Sequence, residues 1–256
     1  MPNLAIDRGN TFAKVGVFAG PDLVSFSERL GDADVLALVR AHAPAHVIVA
    51  DVRGQGVDWL REAAGQAQLW ALSAEVPIPL ANLYRTPHTL GMDRLAAAIG
   101  AHAQWGGQPL LVMDAGTCLT YDFVDQEGRY HGGGISPGLH MRFRALHHFT
   151  AKLPELRPAE GEVALVGGST AEAIQSGVVL GMVAEIGGMV DRYAQAHPGL
   201  RVLMCGGDAA FLAKKVKHPI FVSQTLIVTG LNAVLSYNLR QPGTIWVPGG
   251  QPPQGA

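Results

Sequence analysis

Leu110-Leu111-Val112-Met113-Asp114-Ala115-Gly116-Thr117-Cys118-Leu119-Thr120-Tyr121-Asp122-Phe123 decides the fold. The apolar run at its start predicts a buried strand. It ends in Asp-x-Gly-Thr, and a second run of alternating character follows. Glycine permits a tight turn and a close backbone approach. The turn therefore presents a carboxylate, a hydroxyl and bare backbone N–H groups at a hairpin tip, a setting suited to a phosphate tail and its cation.

The same design stands at the N-terminus. Asn3-Leu4-Ala5-Ile6-Asp7-Arg8-Gly9-Asn10-Thr11 precedes Phe12-Ala13-Lys14-Val15-Gly16-Val17-Phe18, so Asp7 matches Asp114 and Gly9 matches Gly116. One Asp-x-Gly turn is ordinary turn chemistry. Two, each between strand-like runs and each opening one half of the chain, predict a duplicated architecture. The expected fold is two related α/β domains, residues 1–107 and 108–256, whose hairpin tips face each other across a cleft.

In chain order, 3–8, 12–18 and 22–27 predict a three-stranded meander. Asp32 is expected to cap a helix through about Ala43, and Ala45 to Val52 is a buried strand. A helix near 57–64 and a strand near 69–72 complete the order of a ribonuclease-H-like domain. Pro77, Pro79 and Pro87 mark an extended link that ends at Tyr84-Arg85-Thr86-Pro87-His88-Thr89-Leu90-Gly91-Met92-Asp93-Arg94. Asp93 is expected at or near an N-cap, and the small residues after it allow close helix packing. Strands near 109–115, 118–125 and 128–133 repeat the meander. A Gly-rich run to Gly138 leads into a helix to about Phe149. Ser169-Thr170-Ala171-Glu172 resembles a capping box opening a long helix toward Ala196. A strand into Gly206-Gly207-Asp208, a helix near 209–215, a strand near 219–222 and a helix to Leu239 finish the second domain. The tail after Gln241, with Pro242, Pro248, Pro252 and Pro253, is expected to be loose.

Composition narrows the functional classes. Of 256 residues 48% are apolar and 16% charged, which describes a compact chain rather than a disordered one. With 19 basic and 21 acidic residues there is no basic excess, so no nucleic-acid footprint is expected. Cys118 and Cys205 do not imply a disulfide framework, and small buried hydrophobes are the expected role. No leader pattern opens the chain, and no apolar run is expected to span a bilayer, since Gly177 to Val190 is broken by Glu185 and glycines. A cytoplasmic protein without a membrane partner is the expectation.

Familiar catalytic motifs are missing. The sequence has no P-loop run, no dinucleotide fingerprint, no paired zinc spacing and no G-x-S-x-G elbow. His147 and His148 read as a helix face or end. What remains is carboxylates at Gly turns. Alone, Asp7 or Asp114 is explained as turn capping; together, with Gly206-Gly207-Asp208, they favour a nucleotide cleft. Lys14 either reaches a phosphate or is an exposed strand lysine. Asp93 is a general base, an N-cap, or both. Arg94 binds an anionic substrate or pairs with a carboxylate, and Thr170 contacts substrate or caps its helix.

Five elements, in order, resemble the type III pantothenate kinases. They are Asp7-x-Gly9-Asn10-Thr11-x-x-Lys14; Tyr84-x-Thr86-Pro87-x-Thr89-Leu90-Gly91-x-Asp93-Arg94; Asp114-Ala115-Gly116-Thr117; Gly133-Gly134-Ile135-Ser136-Pro137-Gly138; and Thr170-x-x-Ala173-Ile174-x-x-Gly177. That family belongs to the acetate and sugar kinase/Hsp70/actin superfamily, so the resemblance implies two actin-like ATPase domains. It implies phosphorylation of pantothenate by ATP, the first step toward coenzyme A, by a homodimer that uses K⁺ or NH₄⁺ beside Mg²⁺. By position, Asp93 matches the proton acceptor. Tyr84, Gly91, Met92, Asp93, Arg94 and Thr170 match pantothenate contacts. Asp7, Gly9, Asn10, Thr11, Lys14 and Thr117 match ATP contacts. Asp114 matches the monovalent-cation ligand, with Asp7 open to a divalent cation. The sequence departs from the family at Arg8, where an apolar residue is usual, and a charge there must point outward or pair. It departs again at Cys205, where Thr is frequent. Two other readings stand beside this one: another small-molecule kinase of the superfamily, and a non-catalytic regulator akin to transcriptional accessory proteins. The retained Asp93, Asp114 and first turn argue against the regulator.

Overall fold

A computed structural model describes residues 1–241; residues 242–256, and with them the expectation of a loose tail, lie outside the described residues. The first half holds β1 (Asn3–Arg8), β2 (Ala13–Ala19), β3 (Asp22–Leu30), α1 (Asp32–His42), β4 (His46–Asp51), α2 (Arg61–Ala64), β5 (Gln68–Ala71), β6 (Ala81–Asn82) and α3 (Met92–Trp105). Then come β7 (Leu110–Ala115), β8 (Cys118–Val124), β9 (Arg129–Pro137), α4 (Leu139–His148), α5 (Thr170–Gln175), α6 (Gly181–Ala196), β10 (Arg201–Cys205), α7 (Ala209–Ala213), β11 (Phe221–Val222) and α8 (Leu226–Leu239). The described chain divides into two compact units. The first holds Met1–Gly106, Gly128–Tyr130 and the chain from Thr225 on; the second holds Gly107–Glu127 and His131–Gln224.

The first unit's sheet has the order β3-β2-β1-β4-β5. β1 pairs antiparallel with β2 and parallel with β4, and β4 pairs parallel with β5. The second unit repeats this order as β9-β8-β7-β10-β11. There β7 pairs antiparallel with β8 and parallel with β10, and β10 pairs parallel with β11. Both units thus have the ribonuclease-H-like strand order, and the duplication read from the two Asp-x-Gly hairpins is present in the topology.

Period-2 alternation decides which side chains of β1 go where. Leu4 and Ile6 enter a core with Val35 and Val39 of α1 and Leu60, while Ala5 and Asp7 point to the opposite face. α3 and α8 cover that opposite face by an unusually close approach. A Cβ added at Gly100 would meet the Leu226 carbonyl oxygen at 2.0 Å, and one at Gly230 would meet the Ala96 oxygen at 1.8 Å. The sequence reading put Leu226–Leu239 at the end of the second domain. It belongs to the first unit instead, because its broad buried face packs on α3, where Gly100 and Gly230 let the two backbones approach. Asn232 Nδ2 donates to the Gly20 carbonyl at 2.9 Å and Asn238 Nδ2 to the Pro77 carbonyl at 2.7 Å, tying the helix to the same unit.

Two local expectations change. α1 is capped by Gly31, not Asp32, and Asp34 takes the Gly31 N–H at 3.0 Å. The Gly-rich run before Gly138 is strand, because β9 continues to Pro137. From Thr170 to Ala196 the backbone is continuously helical through a π-helical turn at Ser176–Leu180, despite its glycines. That run of 27 residues holds an 18-residue window of mean hydropathy 1.5, long and apolar enough to cross a membrane by length and composition alone, and 33% of that window is buried inside the unit. Its Ile174, Val178, Val179, Met182, Ile186 and Val190 lie in the second unit's core against Leu111, Met113 and Tyr121. Burial of that stripe holds glycines in helix that propensity alone would lose.

The α3–α8 contact is testable. Gly230→Ala is expected to cost about 1–3 kcal/mol through overpacking, or about 2–4 °C in melting midpoint per kcal/mol. Gly181→Ala, where nothing lies within 4 Å, should leave the midpoint unchanged or raise it. Thermal melts by circular dichroism check this; equal midpoints for wild type and Gly230→Ala would contradict the contact.

Candidate functional site

The first hairpin tip joins β1 to β2. Asp7 lies opposite Lys14 in register, so carboxylate and ammonium are cross-strand neighbours. Asp7 is buried and Lys14 half-buried, while Asn10 and Thr11 are exposed. The Gly9 N–H closes the turn on the Phe12 carbonyl at 3.2 Å.

Arg8, the charge that had to point outward or pair, points inward and pairs. Alternation sends it to the α1 face, where only 3% of its surface is exposed. Its Nη2 donates to Asp32 Oδ2 at 2.5 Å and its Nη1 to Gln55 Oε1 at 2.8 Å, with Asp51 Oδ2 at 3.7 Å. The guanidinium sits 4.2 Å from the centre of the Trp59 ring. Arg53 joins the group: Nη1 donates to both Asp32 oxygens at 3.3 Å, and Nε donates to the Gly9 carbonyl at 2.9 Å. The Arg8 hydrogen bond holds the Asp32 carboxyl below its ordinary range, with burial opposing and Arg53 adding to the shift. Sequence reading missed Asp32, Asp51 and Arg53. Topology carried the signal: a parallel β4 beside β1 sets Asp51 directly opposite Arg8.

Asp93 is not the cap of α3. Gly91 holds that position, and Asp93 is the second helical residue. Its Oδ1 accepts the Arg94 N–H at 2.8 Å. The carboxylate folds back over Gly91, where a Cβ would meet Oδ1 at 2.6 Å, so the Gly-x-Asp spacing has a steric reason. The helix N-terminus also favours a negative charge here. Arg94 is buried, its guanidinium 6.0 Å from the Tyr84 ring, and Tyr84 lies 6.3 Å from Tyr130. Tyr84, Gly91, Met92, Asp93 and Arg94 are therefore one local group. It stands in the same unit as Asp7, and α3 covers the sheet face toward which Asp7 points.

In the second unit three glycine segments converge on the other tip. The Gly116 N–H donates to the Cys118 carbonyl at 3.0 Å and the Gly138 N–H to the Thr117 carbonyl at 3.2 Å. A Cβ at Gly138 would meet the Gly116 oxygen at 2.3 Å. Gly206, at φ +94°, lies against Asp114, whose Oδ1 would be 2.3 Å from an added Cβ. The Asp208 N–H donates to the Ala115 carbonyl at 3.0 Å. Burial raises the Asp208 carboxyl above its ordinary range, opposed by His140, whose Nε2 is 3.3 Å away. Cys205 is wholly buried opposite Asp114, so the position often held by Thr takes a thiol as a small core group.

Behind this tip Arg142 donates to Ser136 Oγ at 2.8 Å, to the Pro137 carbonyl at 2.8 Å and to Glu185 Oε2 at 2.5 Å. Tyr121 adds a bond to Glu185 Oε1 at 3.0 Å. Burial alone would raise the Glu185 carboxyl; these hydrogen bonds hold it below its ordinary range instead. Burial, with Glu185 adding to it, pushes the Tyr121 hydroxyl far above its usual value. Thr170 is exposed at the start of α5 and does not cap it. Ser169 Oγ accepts the Glu172 N–H at 3.3 Å, and Glu172 reaches back to the Gly168 N–H at 2.7 Å, one residue beyond a true capping box. Asp114, Thr117 and Thr170 thus share the second unit, while the other expected site residues share the first. His147, in the last turn of α4, bonds the Leu153 carbonyl at 2.8 Å, a structural role.

Residues 3–192 match the sequence profile described as type III pantothenate kinase. A type III pantothenate kinase from Phocaeicola vulgatus is 43% identical over 240 residues, covering 92% of this chain and 98% of that protein. One from Cytophaga hutchinsonii is 42% identical over 237 residues, covering 93% and 100%. Among solved structures, a Campylobacter jejuni protein described as a Baf family transcriptional activator superposes with a TM-score of 0.62 at 20% identity, covering 93% of this chain and all of that one. That likeness concerns the fold.

The Arg8–Asp32 pair predicts a pH dependence. Asp32 is depressed in the folded state, so its stabilisation is complete above its ordinary value of 3.8 and is lost as pH falls through the lower folded value. Asp32→Asn is expected to cost about 1–2 kcal/mol at neutral pH, at the low end because Asp32 reaches solvent. The gap between wild-type and variant melting midpoints should close as pH falls below 3.8. Melts from neutral to acid pH measure it; a gap of constant size would contradict the pairing.

Proposed function

The chain belongs to the type III pantothenate kinase family, and we propose that it transfers the γ-phosphoryl group of ATP to the primary hydroxyl of pantothenate. The observation that carries this reading is the Tyr84–Arg94 group, an oriented carboxylate beside a buried guanidinium, in the unit that also holds the Asp7–Lys14 turn.

Phosphoryl transfer asks the protein for positioning and charge neutralisation more than covalent chemistry. Asp93 takes the hydroxyl proton. Its Oδ1 is engaged by the Arg94 N–H, which orients the group and leaves Oδ2 for the substrate. Arg94 offers positive charge to the pantothenate carboxylate, with Tyr84, Gly91, Met92 and Thr170 as the other contacts. Gly9, Asn10, Thr11, Lys14 and Thr117 receive the phosphates through backbone N–H groups, hydroxyls and an ammonium.

Asp7 would hold Mg²⁺ and Asp114 would hold K⁺ or NH₄⁺. Both are hard oxygen donors of the kind Mg²⁺ takes. Among the described residues no group of three or more His, Cys, Asp or Glu could hold a metal, so Mg²⁺ would take its remaining ligands from phosphate and water. Bound there, the cations supply neutralisation of phosphate charge. A homodimer is supported by Ile135, Phe149, Leu165 and Val166, large apolar side chains exposed in the second unit. A cytoplasmic setting is supported by the use of ATP and by two cysteines that remain thiols.

Purified protein with Mg²⁺ and K⁺, offered pantothenate, sugars and short acids, should consume ATP fastest with pantothenate. That rate should fall when Na⁺ replaces K⁺ or NH₄⁺. Faster use of another acceptor overturns the substrate; equal rates in all salts remove the role given to Asp114. Asp93→Asn should shift its melting midpoint by no more than about 4 °C, since Gly91 holds the cap and only the charge at the helix N-terminus is lost, and should lose ~10²-fold or more in kcat. Near-normal kcat would take the proton from Asp93.

A further inference from the structure

We propose that Arg53 is the positioning residue of the Gly9–Phe12 turn and sets the backbone donors that meet ATP. The inference rests on reading that turn as the phosphate site. Arg53 Nε donates to the Gly9 carbonyl at 2.9 Å. In a trans peptide the carbonyl and the following N–H point in opposite directions. Holding the Gly9 oxygen toward Arg53 therefore presents the Asn10 N–H on the other side of the turn.

Arg53 is itself held at three points. Its Nη1 donates to both oxygens of Asp32 at 3.3 Å, and its own N–H donates to Asp51 Oδ1 at 3.0 Å. Asp51 Oδ2 accepts the Gln55 N–H at 2.7 Å, and Gln55 Oε1 accepts Arg8 at 2.8 Å, which closes the ring back to Asp32. Two guanidinium groups face two carboxylates, so the ring is neutral and acts through geometry rather than added positive charge. A fork is required: one edge meets a carbonyl while another meets a carboxylate. Lysine, a point charge on a flexible stem, cannot hold both.

The test is steady-state kinetics of the full chain, with ATP and pantothenate varied separately, at a temperature where each variant is folded. Arg53→Ala and Arg53→Lys should each raise KM for ATP by about tenfold, the worth of one charge-assisted hydrogen bond. KM for pantothenate should stay within about twofold of wild type in the same variants. Arg40→Ala, which removes an equal charge from an exposed pair with Glu62 at 3.9 Å in the same unit, should leave both constants unchanged. Wild-type KM for ATP in Arg53→Lys overturns the proposal, because charge alone would then suffice. Parallel losses in both KM values and kcat overturn it too, as general damage to the fold. Should Arg53→Ala not fold, the lysine variant decides. A wild-type protein that transfers no phosphate from ATP removes the functional reading and this inference with it. Normal wild-type turnover with unaffected Arg53 variants removes this inference alone.

Discussion

A guanidinium cut off from water cannot stay unpaired, because the cost of leaving it so is about 3–5 kcal/mol. Arg8 is such a group, 3% exposed and one residue from Asp7. Its pairing draws together the start of α1 through Asp32, the end of β4 through Asp51, and the loop after β4 through Gln55. Those are the pieces that must be in register for β1 to end where it does. The alternation that sends Arg8 to the α1 face sends Asp7 to the other. A single step along the strand thus separates a charge paired within the fold from the carboxylate proposed to meet a ligand.

The second unit solves the same problem without charge. Ala115 stands where Arg8 stands in the first hairpin, and it is buried. Its carbonyl accepts the Asp208 N–H, and the backbones of Gly138 and Gly206 lie against the tip. A neutral side chain needs no partner, so close backbone packing takes over the work that hydrogen-bonded ions do in the first unit. Ion pairs tolerate small shifts of long side chains. Glycine contacts under 3 Å from a hypothetical Cβ do not, since backbone cannot rotate out of the way. The two hairpins should accordingly differ in which substitutions they accept, even though their strand order is the same.

Much of this was legible in the sequence because it is local. Asp-x-Gly between apolar runs specifies a hairpin tip through turn chemistry, and its repetition specified the duplication. The Tyr84–Arg94 group was legible for the same reason, being short in sequence. What escaped was long-range. Arg53 and Asp32 bond residues 44 and 24 positions away, and no periodicity records such a pair. The place of α8 escaped because its apolar surface says that it is buried, not against what. The steric room left by Gly100 and Gly230 chose α3. The cap position slipped by one residue at Asp32, where Gly31 supplies the extended backbone, while Asp93 lies near the N-cap as expected, with Gly91 at the cap itself. The helix from Thr170 toward Ala196 was legible from the capping-box pattern at its start, and tertiary burial holds its glycines in helix.

The central claim is that an oriented carboxylate and a buried arginine in the first unit hold a primary alcohol for phosphoryl transfer. The most direct measurement is ³¹P NMR of the wild-type protein with ATP, Mg²⁺, K⁺ and pantothenate. The account predicts loss of the ATP γ-phosphate signal and growth of a phosphomonoester coupled to the protons of pantothenate's terminal CH₂. Free phosphate as the sole product, or an ester on the secondary hydroxyl, would contradict it.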